Sequence, residues 1–307
     1  MSPLDSDKRA SVRQPNRQSP PHLPVVRQGQ KLPRCRTIEN AMSAGNHQFD
    51  NLKLAKDGHV AVVTFNRPHK ANALDHAHLV DIEAVALSFR DDADTRVVIF
   101  TGEGKHFSSG ADLDGGGPVA ANLLQRRRLA RIGERATLAV YDMDQITIAA
   151  WNGAAMGGGA VLATAMDLRI GSDDCFMQYP EIDIGVNLMW KGLPLIAHIA
   201  GPSRTKRLVI GGERIHAREL LRWGVLDALV ARADLMATAR EWANRYAGKS
   251  PIAAQMIKRS VNALVSAFDN AVMHMDVDQN LLSAMTEDRR VAIEAYRAGK
   301  EPEFKGD

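Results

Sequence analysis

The strongest constraint in this 307-residue chain is a run without charge. Residues 145–166 contain no charged side chain. A run that long has the length to cross a bilayer. Asn152-Gly153 and the triplet Gly157-Gly158-Gly159 interrupt it, so it reads instead as a buried strand, a glycine turn and a buried helix. Two cysteines exclude a disulfide scaffold and a cysteine-built metal site.

The flanking segments repeat that alternation. His59–Phe65 is apolar and β-branched, a strand ended by the turn residues Asn66-Arg67-Pro68. Leu79, Ile82, Val85, Ala86 and Phe89 have helical spacing over 76–90. Arg96–Thr101 reads as a second strand, Val119–Met143 as one long helix, and Gln145–Trp151 as a third strand. A helix is expected from Gly158 to Ala165, with short strands at Asp167–Ile170 and Cys175–Tyr179. Helices dominate after Lys191. The pattern predicts an α/β core followed by a helical region from Pro251 to Ala298.

Charge divides the chain differently. The whole carries 39 Lys and Arg against 36 Asp and Glu, a formal net charge of +3. Residues 1–40 hold eight basic residues, three acidic residues and six of the thirteen prolines, for a net +5; the remainder is net −2. A segment so poor in apolar residues cannot offset its ordering entropy. Residues 1–45 are therefore expected to be a disordered basic extension, 46–250 the core, and 251–307 the C-terminal helical region. Met42 is an alternative start. No apolar segment before a small-residue cleavage site marks a secretory signal. A cytoplasmic location is expected, with mitochondrial import by the Arg-rich extension as the alternative. The basic pI comes from the extension, so nucleic-acid binding by the core has no support. No nucleic-acid partner and no membrane span is expected.

Two loops carry chemistry. Gly153 to Gly159 lies between a strand and a helix but lacks the Lys-Ser/Thr of a phosphate loop and the spacing of a dinucleotide fingerprint. Gly102 to Asp112 also follows a strand. Two such loops can each offer one backbone N–H to a single oxygen, as in an oxyanion hole; close helix–strand packing is the plainer reading. Ser109 is not in a hydrolase elbow. The histidines have no metal-ligand spacing, so no metal site is expected.

Together the stretches Phe65-Asn66-Arg67-Pro68-x-Lys70-Ala71-Asn72-Ala73-Leu74, Phe107-Ser108-Ser109-Gly110-Ala111-Asp112-Leu113, Asn152-Gly153 with Gly157-Gly158-Gly159, Pro180-Glu181 and Trp223-Gly224 resemble the crotonase superfamily, the enoyl-CoA hydratase/isomerase family. The resemblance runs from about residue 48 to the C-terminus. It implies a spiral core of repeated β-β-α turns, with C-terminal helices that form trimers or paired trimers. It also implies a coenzyme A thioester substrate and no separate cofactor. Ala111 and Gly158 would bind the thioester oxygen. Lys70, Ala71 and Ala73 would line the adenine side, and Ser109, Gly110, Asp112, Leu113, Gly157, Val161 and Trp190 the rest of the substrate site. Lys70 and Lys258 are weak candidates for the CoA phosphates; a solvated surface charge is the preferred reading of each.

The chain departs from the family at informative places. Hydratases of the family use two glutamates. The second is present as Glu181, but Val161 stands at the first, and valine neither accepts a proton nor orients water. Met189 stands where other members carry an aspartate. The retained set resembles enoyl-CoA isomerases, with Glu181 moving a proton from C2 to C4. Two alternatives are a hydratase with atypical water positioning and a catalytically silent acyl-CoA-binding protein.

Overall fold

The structure, a computed structural model, describes residues 49–115 and 117–307. The extension expected over 1–45 lies outside them. Gln48–Asp307 form one compact unit.

The chain winds as strand, strand, helix. β1 (Leu52–Asp57) and β2 (Val60–Phe65) form a hairpin followed by α1 (His76–Ser88). β3 (Val97–Gly102) leads through a long loop to α2 (Leu123–Ala130) and α3 (Ile132–Tyr141). β4 (Ile146–Trp151), β5 (Ala154–Met156) and α4 (Gly158–Ala165) make the next turn. β6 (Leu168–Ser172), β7 (Phe176–Gln178), α5 (Gly192–Ala200) and α6 (Pro202–Val209) make another. The winding ends with β8 (Ile215–His216), α7 (Ala217–Arg222), β9 (Ala228–Val230) and α8 (Leu235–Ala247). Four helices close the chain: α9 (Pro251–Val265), α10 (Asp269–Met273), α11 (Asp276–Ser283) and α12 (Glu287–Ala298).

One sheet has the order β1-β2-β3-β4-β6-β9, parallel except for the β1–β2 pair; the other has the order β5-β7-β8. The first hairpin lies wholly in the large sheet, and each of the last three turns places one strand in the large sheet and one in the small one. Parallel strands are covered on both faces, so they read as continuous apolar runs. Alternation within them separates two cores. Ala61, Val63, Phe65, Val98, Phe100, Ala149 and Trp151 join the larger core with α1, α3 and α4. Val60, Val62, Val97, Ile99, Ile148 and Ala150 face Leu235, Ala239, Ala243 and Ala247, a stripe along α8.

Several expectations change. The helix expected over Val119–Met143 is two helices. Asn122 starts α2 by accepting from Gln125 N–H, and the chain breaks at Arg131. α2 buries none of its residues, whereas α3 buries Ile132, Ala136 and Val140. No single apolar stripe runs through both. β1 was missed because Lys53 and Lys56 interrupt its apolar positions at a half-exposed edge. β5, β8 and β9 are only two or three residues long. Lys258 is not a surface charge. It is 6% exposed, and its ammonium donates to Gln145 O at 2.8 Å and pairs with Asp167 at 2.7 Å. Helix α9 reaches back to the core there, so Lys258 is unavailable to a phosphate. Among the described residues no helix is long and apolar enough to cross a membrane.

Candidate active site

The two glycine loops are stitched together. Ser108 N–H donates to Ala154 O at 3.1 Å, and Met156 N–H donates back to Ser108 O at 3.0 Å. Gly110 has φ +87°, and a Cβ there would lie 2.6 Å from Met156 O. Only glycine permits both that conformation and that approach. Just beyond the stitch stand Ala111, next to Gly110, and Gly158, two residues after Met156. Among the described residues, neither N–H donates to a protein acceptor. Gly158 is the first residue of α4, where the backbone N–H groups have no intrahelical partner.

The segment Lys70–Leu74 lies along the first loop. Ser109 N–H donates to Ala71 O at 2.9 Å, Leu74 N–H to Gly110 O at 2.8 Å, and Asp112 N–H to Leu74 O at 3.0 Å. Ala73 joins this segment through its carbonyl, which accepts from Arg67 Nη1 at 2.5 Å. Two residues here went unrecognised as site components. Asn72 is fully buried with φ 56°, and its amide donates to Glu103 O and His106 O. Arg67 reaches Asp112 at 3.0 Å and Asp75 at 3.1 Å. Lys70 also pairs with Asp112, at 3.1 Å. Burial would raise the Asp112 carboxyl, but the bonds from Lys70 and Arg67 outweigh it and hold the group below its ordinary range. Asp112 thus ties two loops together. The signal for Asn72 was its residue type, since asparagine tolerates left-handed turns.

Glu181 arrives on the second sheet. Gly157 N–H donates to Gln178 O at 2.9 Å, joining the end of β7 to the start of α4. Three residues later Glu181 opens a short 3-10 turn, Ile182–Ile184. Its Oε1 would lie 2.6 Å from a Cβ on Gly157, so the carboxylate stands against the residue preceding Gly158. Its Oε2 is buried without a hydrogen-bond partner. Burial pushes the Glu181 carboxyl up to about 7, with a smaller contribution from Asp183. At such a value the group can both accept and return a proton near neutrality.

Val161, one turn into α4, is 1% exposed. A Cβ on Gly192 would meet its Cγ2 at 2.5 Å, and Leu188 crowds the same point. Trp190 is also buried, its indole against Gly158. Leu113 faces outward and lines a cavity of about 270 Å³ with Asp114, Arg289, Ile293, Tyr296 and Arg297. Arg289 of α12 donates to Ile184 O, which seats the last helix on the Glu181 turn. A larger cavity of about 450 Å³ lies at the far end of α4, lined by Thr164, Leu195 and Val261 among others. None of the expected site residues lines it. Lys258, the weak phosphate candidate, does. Among the described residues no group of three or more His, Cys, Asp or Glu is placed to hold a metal ion.

The structure therefore brings Ala111, Gly158, Glu181 and Gly157 together, with Gly110 and Ser109 behind them and Trp190 and Val161 alongside. Comparison with known proteins identifies the family. The family model for enoyl-CoA hydratase/isomerase matches residues 55–307. The short-chain-enoyl-CoA hydratase of Clostridium acetobutylicum is 30% identical over 250 residues, 81% of this chain and 95% of that protein. The carnitinyl-CoA dehydratase of Escherichia coli is 35% identical over 210 residues, 68% of this chain and 79% of that protein. Among solved structures, an enoyl-CoA hydratase from Mycobacterium avium subsp. paratuberculosis superposes with a TM-score of 0.76 at 22% identity, covering 84% of this chain and 100% of that one. A monofunctional enoyl-CoA isomerase from M. smegmatis superposes at 0.60 with 30% identity, covering 70% of this chain and 93% of that one. With its spiral of strand-strand-helix turns and a family match over most of its length, this chain belongs to the enoyl-CoA hydratase/isomerase family of the crotonase superfamily.

Proposed function

We propose that the protein isomerises 3-enoyl-CoA thioesters to 2-enoyl-CoA thioesters with Glu181 as the only acid–base group. The Ala111 and Gly158 N–H groups donate to the thioester oxygen. Glu181 takes a proton from C2, and the electron pair moves onto that oxygen as an enolate. The protonated Glu181 returns the proton at C4 as the enolate collapses, so the double bond moves from C3–C4 to C2–C3. Charge that develops on the oxygen meets donors already aimed at it; one such donor is worth about 2.7–4 kcal/mol of barrier.

One observation carries this reading. The Glu181 carboxylate is enclosed against Gly157, the residue before the free N–H of Gly158, while Val161 occupies the position of the other glutamate. Valine there is packed by Gly192 and Leu188, which leaves nothing to hold a water. Lys70, Ala71 and Ala73 fit the adenine side of a coenzyme A, which is part of the substrate; no separate cofactor is required. Exposed Ile252, Met256, Ile257, Leu264 and Phe268 on the C-terminal helices suit a homotrimer, or paired trimers as a hexamer.

The assay is the rise in 2-enoyl thioester absorbance from a 3-enoyl-CoA. Glu181→Gln should lower the rate by about 10²–10⁴-fold; an unchanged rate overturns the mechanism. The likeness to a short-chain-enoyl-CoA hydratase and a carnitinyl-CoA dehydratase favours a second reading, in which water is positioned by another residue. Loss of 2-enoyl absorbance with incorporation of water would establish it. Tight acyl-CoA binding with neither reaction would instead indicate a silent binding protein.

A further inference from the structure

The corner after Glu181 has an unusual backbone. Trp190 and Lys191 both lie in the left-handed region, with φ of 61° and 59°. Bulky residues avoid that region unless their surroundings hold them there. Here the holding contacts are explicit. Lys191 N–H donates to Asp276 Oδ2 at 2.9 Å, and its ammonium donates to Asn270 Oδ1 at 2.6 Å. The same ammonium lies 3.9 Å from Glu134 Oε1. Asp276 is almost completely buried. Residues of α3, α10 and α11 therefore pin the corner from three sides.

The consequence is the position of the indole. A Cβ built on Gly133 of α3 would lie 1.9 Å from Trp190 Cε2, and one on Gly158 of α4 would lie 2.0 Å from Cζ3. The ring spans the gap between the two helices, and only the pair of glycines leaves room for it. One edge of the ring touches the residue that supplies an oxyanion-hole N–H. On the same helix as Gly158, Val161 lies against Gly192, which Leu188 also crowds. The route from the thioester carbonyl into the core between α3 and α4 is filled.

We propose that Trp190 is a specificity-determining residue that ends the acyl site a few carbons beyond the thioester, restricting the protein to short-chain acyl-CoA substrates. This rests on acyl-CoA binding at the site, as argued above, and on no particular reaction. An acyl group that extends inward beyond the reacting carbons meets the indole. The pinned backbone fixes the direction of the Trp190 Cα–Cβ bond, and packing against Gly133 and Gly158 holds the ring in place.

The test is calorimetric binding of saturated straight-chain thioesters, from acetyl-CoA to dodecanoyl-CoA, to full-length wild type, Trp190→Phe and Trp190→Ala. Saturated thioesters are not turned over, so the outcome is independent of isomerase or hydratase activity. Wild-type affinity should rise to about the butanoyl thioester and then stop rising. Trp190→Ala should continue to tighten by about fourfold per added methylene, the equivalent of ~0.8 kcal/mol per buried CH₂. Trp190→Phe should fall between. Continuous tightening of wild type up to dodecanoyl-CoA overturns the proposal. So does a Trp190→Ala effect that is the same factor at every length, which would mark the indole as structural support. If the alanine variant does not fold, Trp190→Phe decides: longer thioesters should tighten on it relative to wild type, and an unchanged length profile overturns the proposal. Wild type that binds none of these thioesters would overturn the acyl-CoA site itself, an outcome distinct from length-independent binding.

Discussion

Replacing Glu181 by glutamine should remove activity and also change how stability depends on pH. The carboxyl titrates near 4.5 when exposed and is pushed up to about 7 in the fold by burial. Between those values the folded state holds a proton that the unfolded state has released. The folded state then binds more protons, so stability falls as pH rises through the window and levels off above about 7. The full penalty is about 3 kcal/mol, at ~1.36 kcal/mol per unit of pKa shift. About 2 kcal/mol of it develops between pH 5.5 and 8. Glutamine carries no such penalty. The measurement is urea unfolding of wild type and Glu181→Gln at both pH values. All other titrating groups are common to the two proteins and cancel in the double difference. Glu181→Gln should gain about 2 kcal/mol on wild type between pH 5.5 and 8. The same ionisation controls the base, so log kcat/KM of wild type should rise with unit slope below about 7 and then level off. A stability difference that does not change with pH, or a flat rate profile, would refute the assignment of a buried and unpartnered carboxylate.

Other expected outcomes follow from single contacts. His78 is fully buried, and burial lowers its pKa from 6.5 to about 4. Its contribution is therefore complete above pH 6.5 and is lost as pH falls toward 4. His78→Phe should shift the acid unfolding midpoint to lower pH, measured by circular dichroism. Lys258→Met breaks the buried pair with Asp167 and should cost about 3 kcal/mol, with KM for acyl-CoA unchanged; a raised KM at constant stability would restore the phosphate role. Gly158→Ala places a methyl inside the Trp190 ring and should destabilise by at least about 1–3 kcal/mol while abolishing turnover. Val161→Glu buries a carboxylate among Leu188 and Gly192. It should lower the melting temperature without creating hydratase activity, read from water addition to a 2-enoyl thioester.

Residues close in sequence were legible where the physical cause is local. The apolar runs of β2, β3 and β4 declare themselves because parallel strands are buried on both sides. The glycines at 110 and 153–159 mark close approach because no other residue permits it. Edge strand β1 and the split between α2 and α3 were not legible. An edge strand tolerates lysines on its open side, and the end of α2 depends on which residues find a core to face.

The amino-acid order alone determined the central strands, most of the helices and the two glycine loops. These follow from residue type and spacing. Tertiary structure decided the rest. It placed the Glu181 carboxylate against Gly157 and raised its pKa by burial. It drew Lys258 inward to Asp167 and wedged Trp190 between two glycines 25 positions apart, at 133 and 158. Burial, pairing and dielectric environment arise only when distant segments close on one another, so no local pattern of residues can report them.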